Sequence, residues 1–154
     1  MIIETDIGPI TLGYKEGNLF SEFGKHATDS EPSKKLATEF QAYFAGTFTR
    51  QFDVPLPEGA PFMKKCWAAC RNIPYGETRT YGELAKAAGS PKAARAAGQA
   101  MRHNPMPIIT PCHRVIASTG KLHGFAGKTS SKSKEMQAKR YLLYLEQQAC
   151  RIDI

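Results

Sequence analysis

The chain has 154 residues, 42% of them hydrophobic and 23% charged, which is typical of a globular protein of one or two domains and excludes a disordered chain. No apolar run is long enough to cross a membrane, and the N-terminus lacks the pattern of a secretion signal, so we expect neither membrane insertion nor export. The net charge of +7 is concentrated after residue 60, where 16 Lys and Arg face five Asp and Glu, and indicates either a polyanion-binding surface or a solubilising one.

The first part of the chain predicts short strands followed by one helix. "IIETD", "ITLGY" and "LFSEF" are β-leaning segments that the turn-forming "IGP" and "KEGN" separate. In "SKKLATEFQAYFAG" apolar residues recur at helical spacing, with Ser33 as the expected N-cap and Gly46 as the stop. "TFTRQFDV" is expected to form another strand. The prolines of "PLPEGAP" then interrupt regular structure, so we place a domain boundary there, between residues 1–58 and 59–154.

The second part is expected to be almost wholly helical. "FMKKCWAACRNI" places Phe62, Cys66, Trp67, Cys70 and Ile73 on one helical face. Cys66 and Cys70 have a spacing that could suit a metal, but no His or second Cys pair matches it, so we interpret them as core residues. We expect the cysteines of this chain to be free thiols in a reducing compartment.

Two short helices joined by a tight turn are expected next, which makes this region a helix-turn-helix candidate. Thr80 is the expected cap of the first helix and Gly89 its end, whereas Ser90 is expected to cap the second, with Pro91 at its first position. The second helix, "AARAAGQA", offers mostly small side chains, and Arg95 is the lone long one among its first six residues. It could approach a nucleic-acid groove closely, with Arg95 as a wedge, or pack its alanines against another helix with Arg95 in solvent.

The segment "PCHRV" places a thiol, an imidazole and a guanidinium on consecutive residues. Cys112 could be a core residue, a metal ligand or a nucleophile. Zinc is excluded by spacing, because Cys112, His113 and His123 match no recognised set and a fourth ligand is missing. A nucleophile needs a base, yet neighbouring side chains of an extended segment diverge, so we expect a water to bridge Cys112 and His113. Glu146 in the last helix is the best candidate to orient His113, unless it is a solvated surface charge.

Five segments of the second part, taken in order, form a specific set. They are "IPYGETRTYGELA" (73–85), "SPKAARAAGQAM" (90–101), "RHNPMPIIT" (102–110), "PCHRV" (111–115) and "ASTGKLHGFAG" (117–127). With "GPITL" and "YFAG" in the first part, they closely resemble the O6-alkylguanine-DNA alkyltransferases, also called methylated-DNA–protein-cysteine methyltransferases. "KTSSKSKE", residues 128–135, looks like an insertion relative to that family, so the alignment that reaches Glu146 crosses a gap.

The resemblance implies an N-terminal ribonuclease-H-like α/β domain over residues 1–58. A helical C-terminal domain with a winged-helix-like helix-turn-helix would follow over residues 59–154. The implied activity is DNA repair, in which an alkyl group of O6-alkylguanine, or of O4-alkylthymine, moves from a flipped-out base to a cysteine, irreversibly and once per molecule. The implied partner is double-stranded DNA bound through the minor groove by a monomer, whose cooperativity is left open. Neither a metal nor a cofactor is implied, and the expected compartment is the cytoplasm or, in a eukaryote, the nucleus.

The resemblance also assigns roles to individual residues. Cys112 is the alkyl acceptor, and His113 and Glu146 complete a water-linked relay. Asn104 is the hinge that ties the helix-turn-helix to the active-site segment, and Tyr81 crowds the target phosphate and donates a hydrogen bond to the guanine. The expected DNA contacts are Tyr81, Ala94, Arg95, Gly98, Arg102, Arg114 and Ser118, with Arg95 filling the space of the extruded base. The expected pocket wall is Met101, Pro107, Val115, Phe125 and Ala126, with backbone groups of Cys112, Val115 and Ala126 on the base edge.

Three other functions compete with this interpretation. A non-catalytic damage sensor of the alkyltransferase-like kind would lack the acceptor cysteine, whereas Cys112 is present. An ordinary helix-turn-helix regulator would bind a specific duplex sequence and have no use for Cys112. A Cys–His hydrolase would turn over repeatedly, whereas the resemblance implies one event per chain.

Overall fold

The structure, a computed structural model, describes residues 1–119 and 134–152. Its first part opens with an antiparallel sheet of β1 (Ile2–Thr5), β2 (Gly8–Lys15) and β3 (Asn18–Phe23), in which β2 is central. Leu12 of β2 pairs with Ser21 of β3, and both side chains are buried. The three predicted strands are confirmed, and the sheet contributes to the core.

The helix α1 (Lys34–Phe44) begins and ends where the sequence predicts. The Ser33 side chain accepts a hydrogen bond of 3.1 Å from the Leu36 amide, which satisfies one of the free N–H groups of the first turn. Gly46 has a φ of 77°, a conformation that glycine adopts without strain. The buried face of α1 includes Tyr43.

Residues 47–54 form no regular strand, so the strand predicted for "TFTRQFDV" is wrong. Phe48 and Phe52 are both buried, with ring centroids 4.5 Å apart, so packing of this aromatic pair overrides the β propensity of the segment. The proline-rich stretch then leads into α2 (Pro61–Arg71). As predicted, α2 buries Cys66, Trp67 and Cys70.

The helices α3 (Tyr81–Ala87) and α4 (Ala94–Arg102) pack against each other and against α2. Thr80 caps α3 as predicted, in a capping box with Glu83. The predicted start of the second helix is wrong, because α4 begins at Ala94 and Ser90 does not cap it. The Ser90 carbonyl instead accepts from the Ala93 amide at 2.9 Å, in a turn that contains Pro91, and proline suits a turn as well as a helix start.

The second part is not wholly helical. β4 (Arg79–Thr80) and β5 (Val115–Ile116) form a short parallel pair that the sequence analysis missed, because two residues cannot show an alternating pattern. A 3₁₀ turn, Cys112–Arg114, directly precedes β5. The last helix, α5 (Lys134–Ile152), contacts that turn.

Buried side chains from both parts of the chain join in one hydrophobic core. It includes Leu12 of β2, Phe40 of α1, Trp67 of α2 and Leu142 of α5. The segment that carries Cys112 therefore lies against elements of both parts. Within residues 1–119 and 134–152, no helix has the length and apolar character needed to span a bilayer.

Candidate active site

Cys112 opens the 3₁₀ turn and lies at a cleft between the N-terminal sheet and the end of α4. Its side chain is 6% exposed. The cleft has a volume of about 780 Å³, and its lining includes residues 18–23, Met101, Asn104, Pro107 and Cys112. A volume of this size is ordinary for a small-molecule pocket. The acceptor predicted from the sequence is thus placed where a ligand could reach its sulfur.

Asn104 connects the end of α4 with the segment that precedes Cys112. Its Nδ2 donates to the Thr110 carbonyl at 2.8 Å, and its Oδ1 accepts from the Met106 amide at 3.1 Å. Burial raises the pKa of the Cys112 thiol, whereas a hydrogen bond from the Asn104 side chain and the charge of Lys139 act to lower it. Asn104 thus ties the end of α4 to the segment before Cys112, and its role as a hinge stays a prediction.

His113 is fully buried and is directly paired with Glu146. Its Nε2 lies 2.6 Å from Glu146 Oε2. Burial lowers the pKa of His113, so the ring is neutral at pH 7 and donates Nε2–H to the carboxylate. Within the described part of the chain, no group hydrogen-bonds to His113 Nδ1. The unprotonated Nδ1 is therefore the nitrogen that can act as a base.

Arg114 holds Glu146 from the other side. Its Nε donates to Oε1 at 2.8 Å, its Nη2 to Oε2 at 3.0 Å and its Nη1 to the Ile73 carbonyl at 2.8 Å. Burial opposes ionisation of Glu146, but His113 and Arg114 hold the pKa of its carboxyl well below the usual range. Arg114 is only 7% exposed, which corrects the prediction that its side chain contacts DNA.

Tyr43 of α1 is a member of this cluster that the sequence analysis missed. Its hydroxyl donates to Glu146 Oε2 at 2.6 Å and lies 3.4 Å from His113 Nε2. The sequence shows Tyr43 only as one apolar position in a helical stripe, which is also what any core tyrosine would show. No sequence signal distinguishes the two.

Lys139 of α5 was also missed. Its side chain is fully buried, and its Nζ donates to the Val115 carbonyl at 2.8 Å. Burial lowers the pKa of Lys139 to about 8, against the opposing influence of Cys112. Its spacing of seven residues from Glu146 places both on one face of α5, and that spacing was the available signal.

The residues expected to contact DNA, Arg114 apart, lie on α3, α4 and the turn after β5. Arg95, Arg102 and Ser118 are exposed, and Ala94 and Gly98 are half-buried. A Cβ at Gly98 would lie 3.7 Å from the Tyr81 ring, so α4 packs closely on this side chain. Burial, followed by the proximity of Cys112, raises the pKa of Tyr81 to about 12, so its hydroxyl remains a donor at neutral pH.

The described residues include three members of the expected pocket wall, Met101, Pro107 and Val115. Met101 and Pro107 line the cleft beside Cys112. Val115 belongs to β5 and is fully buried, and it is not part of that lining. Its carbonyl accepts from Lys139. Phe125, Ala126 and residues 128–133 of the expected insertion lie outside the described residues.

The N-terminal sheet also supports the loop that forms this wall. The Ser21 hydroxyl donates to the Pro107 carbonyl at 2.7 Å, and the Ser21 amide donates to the Pro105 carbonyl at 3.3 Å. Ile108 follows with a φ of 77°, a strained conformation for a β-branched residue that its buried side chain helps to retain.

Comparisons with known proteins match most of the chain. The sequence model of the 6-O-methylguanine DNA methyltransferase DNA binding domain matches residues 61–148. The methylated-DNA–protein-cysteine methyltransferase of Methanosarcina acetivorans is 45% identical, with 94% of this chain and 96% of the relative covered. The protein of the same name from Mycobacterium tuberculosis H37Rv is 41% identical, with 99% and 94% covered.

The fold is similar as well. A crystal structure of Mycobacterium tuberculosis OGT in complex with DNA matches with a TM-score of 0.78 and 40% identity, and covers 96% of this chain and 92% of that one. The match extends through both parts of the chain, the N-terminal sheet and the helices with the PCHRV turn. The chain belongs to the methylated-DNA–protein-cysteine methyltransferase family.

Proposed function

We propose that this chain repairs DNA by a single, irreversible transfer of the alkyl group from O6-alkylguanine to Cys112. One observation carries the proposal: Cys112 lines an open cleft, next in sequence to a buried histidine that is paired with a carboxylate. The family to which the chain belongs and its relatives in Methanosarcina and Mycobacterium support this reaction. O4-alkylthymine is a second substrate that the same attack would serve.

The reaction forms one bond and breaks one. The Cys112 sulfur attacks the alkyl carbon, an S–C bond forms, and the C–O6 bond breaks with its electron pair on guanine. The Tyr81 hydroxyl, protonated at neutral pH, is the donor that we assign to the departing guanine. The product is a thioether, which water does not displace, so each molecule reacts once.

The thiol proton leaves toward His113. Because the imidazole already donates Nε2–H to Glu146, Nδ1 is the acceptor, and we propose that a water carries the proton to it from Cys112. Glu146 then stabilises the imidazolium that forms. A buried thiol has a raised pKa, so the sulfur needs this base for its activation.

A base stacked in a duplex cannot reach a sulfur at the floor of a cleft. We propose that α3 and α4 form a helix-turn-helix that enters the minor groove, and that the target base is flipped out at a cost of about 2–4 kcal/mol. Arg95, exposed on α4, would fill the vacated space, while Ala94, Gly98, Arg102 and Ser118 approach the backbone. Small side chains permit the close approach that a narrow groove demands.

The same proposal includes the organisation of the chain. Residues 1–58 would form a ribonuclease-H-like domain, and residues 59–154 a domain with a winged-helix-like arrangement, for which the β4–β5 pair next to α3 is the support. The protein would act as a monomer in the cytoplasm, or in the nucleus of a eukaryote.

Mass spectrometry after mixing with a duplex that contains one O6-methylguanine tests the proposed function. The wild type should gain one methyl group, on the peptide that contains Cys112, at a stoichiometry no higher than one. Cys112→Ala should lose transfer and still bind the duplex. Cys70→Ala, which removes a second buried thiol, is the matched control and should keep transfer. Methylation of the Cys112→Ala protein would assign the acceptor elsewhere.

A further inference from the structure

Tyr43 is the side chain through which the N-terminal part reaches the proton-accepting pair. It lies on α1, far in sequence from the PCHRV turn, and it is fully buried. Its hydroxyl contacts Glu146 at 2.6 Å, as short as the contact of His113 with the same oxygen. We propose that Tyr43 is a positioning residue for alkyl transfer, which fixes Glu146 on His113 and so connects the N-terminal part with the acceptor Cys112. This inference rests on the proposed function.

The direction of the hydrogen bonds follows from the groups involved. An ionised carboxylate only accepts, so the single hydroxyl proton of Tyr43 points to Glu146 Oε2. Burial, and then the neighbouring Glu146, raise the pKa of Tyr43 well above its usual value, so the phenol stays protonated. His113 must also donate to Oε2, which leaves its Nδ1 unprotonated. Tyr43 thus helps to select the tautomer that the reaction needs.

Among the residues that the structure describes, five donor groups surround the Glu146 carboxylate. Oε2 receives Tyr43, His113 and Arg114 Nη2, whereas Oε1 receives Arg114 Nε and the Gly76 amide at 3.2 Å. Tyr43 and Arg114 Nη2 withdraw charge from Oε2, the oxygen that attracts the His113 proton. Tyr43 therefore limits how far Glu146 raises the pKa of His113. A histidine that is already protonated could not act as the base.

Other charged groups near His113 act in the same direction. Arg114 beside it and Lys139 on α5 both disfavour a positive imidazole, and Glu146 alone among these residues favours it. Tyr75 lies near the Tyr43 hydroxyl and opposes ionisation of that phenol. The proton affinity of His113 is thus a balance in which the Tyr43 hydroxyl counters the single carboxylate.

The ring of Tyr43 is held independently of its hydroxyl. It makes edge contacts with Phe44, at 5.3 Å between centroids, and with Tyr75, at 6.0 Å, and a tilted contact with Phe52 at 6.4 Å. Tyr43→Phe keeps these contacts and removes only the donor to Glu146. The variant therefore separates positioning from packing.

The test is the pH dependence of single-turnover transfer from an O6-methylguanine duplex, with protein in excess, for the wild type and Tyr43→Phe. Transfer needs a neutral His113, so its rate rises as pH passes upward through the pKa of this histidine. We expect Tyr43→Phe to raise the acid-side midpoint by about one pH unit, which slows transfer by up to about tenfold at pH values below the wild-type midpoint and much less above it. The ¹⁵N NMR titration of His113 should show the same shift.

Tyr141→Phe is the matched control, because the Tyr141 hydroxyl also donates to a carboxylate, that of Asp6 at 3.0 Å, but at the surface. It should leave rate and midpoint unchanged. Tyr43→Phe should have little further effect in a Glu146→Gln background if Tyr43 acts through Glu146. An unchanged midpoint, or an equal loss at every pH and in both backgrounds, would show that Tyr43 only packs.

A second variant and the reaction of the wild type distinguish failure of this inference from failure of the proposed function. If Tyr43→Phe does not fold, 3-fluorotyrosine at position 43 serves instead, since its more acidic phenol is a stronger donor and should lower the acid-side midpoint. No shift, or an upward one, would overturn the inference. Failure of the wild type to methylate Cys112 would instead refute the proposed function, whatever the variants do.

Discussion

At the scale of single residues, the site depends on charged groups held out of water. Lys139 and Glu146 are fully buried, and Arg114 is nearly so. Buried charges are retained only when paired, and each here has a specific acceptor or donor around the Cys112–His113 turn. Their desolvation costs stability, and in return they place a base and a positive charge near a thiol whose pKa burial raises.

Lys139→Met should stabilise the protein near neutral pH while slowing transfer. The folded-state pKa of Lys139, about 8, is below its ordinary 10.5, so the unfolded chain binds this proton more tightly. Wild-type stability should therefore rise by about 2 kcal/mol between pH 7 and pH 9.5 through this group, and Lys139→Met should lack that rise. The variant should also raise the Cys112 thiol pKa, because the nearby charge is gone.

Urea unfolding at the two pH values and thiolate absorbance during a pH titration measure these effects. Arg140→Met, an exposed neighbour on α5, is the control and should alter neither quantity. A Lys139→Met protein with the wild-type rise in stability would mean that Lys139 is not desolvated as the structure shows.

At the scale of elements, α4 combines a buried face of small side chains with an exposed face that carries Arg95, Gln99 and Arg102. Ala97 and Ala100 are fully buried, and the Trp67 indole donates to the Ala100 carbonyl at 2.9 Å. Small residues let α4 lie close to α2 and to the Tyr81 ring of α3. The outer face, by contrast, presents the two guanidinium groups of Arg95 and Arg102.

Gly98→Ala should stabilise the protein by about 0.5–1 kcal/mol, because glycine is a poor helix residue and the added Cβ would meet the Tyr81 ring at an ordinary 3.7 Å. Gly98→Leu should instead displace Tyr81 and slow transfer. Thermal unfolding and single-turnover rates report the two effects, and a Gly98→Ala protein of lower stability would contradict the packing described here.

At the scale of the whole molecule, the two parts are joined at the site and differ in charge. Ser21 of β3 supports the pocket loop, and Tyr43 of α1 reaches the His113–Glu146 pair. Arg71 of α2 donates to the Val54 and Pro55 carbonyls and to the Thr110 hydroxyl, and so ties the linker to the loop before Cys112. The positive charge is concentrated in the part that holds α4.

Affinity for undamaged duplex should therefore fall with salt, with a slope in log K against log salt that counts the phosphates neutralised. Arg102→Ala should reduce the magnitude of that slope by about one. Arg50→Ala, equally exposed but in the first part, should leave it unchanged. Fluorescence anisotropy at several salt concentrations provides the slopes, and binding that is insensitive to salt would contradict a phosphate-contacting basic face.

Local features were predictable where local chemistry decides them. Ser33 and Thr80 cap helices because a hydroxyl three residues before a free amide is a local arrangement. The helix cap expected at Ser90 is wrong because proline suits a turn as well as the first position of a helix. Here Pro91 lies in a turn closed by the Ser90 carbonyl. The strand expected at residues 47–54 does not form for a similar reason: Phe48 and Phe52 pack against each other in the core.

Motifs and periodicity along the chain were enough for the family, the acceptor candidate, the first three strands and the presence of the main helices. Only the tertiary structure decided the partners of each buried polar group. It turned Arg114 inward, placed Lys139 near Cys112 and brought Tyr43 to Glu146 across 103 residues of sequence. The physical reason is that a buried polar group is satisfied by whatever the fold brings within hydrogen-bond distance, and a linear pattern does not record that distance.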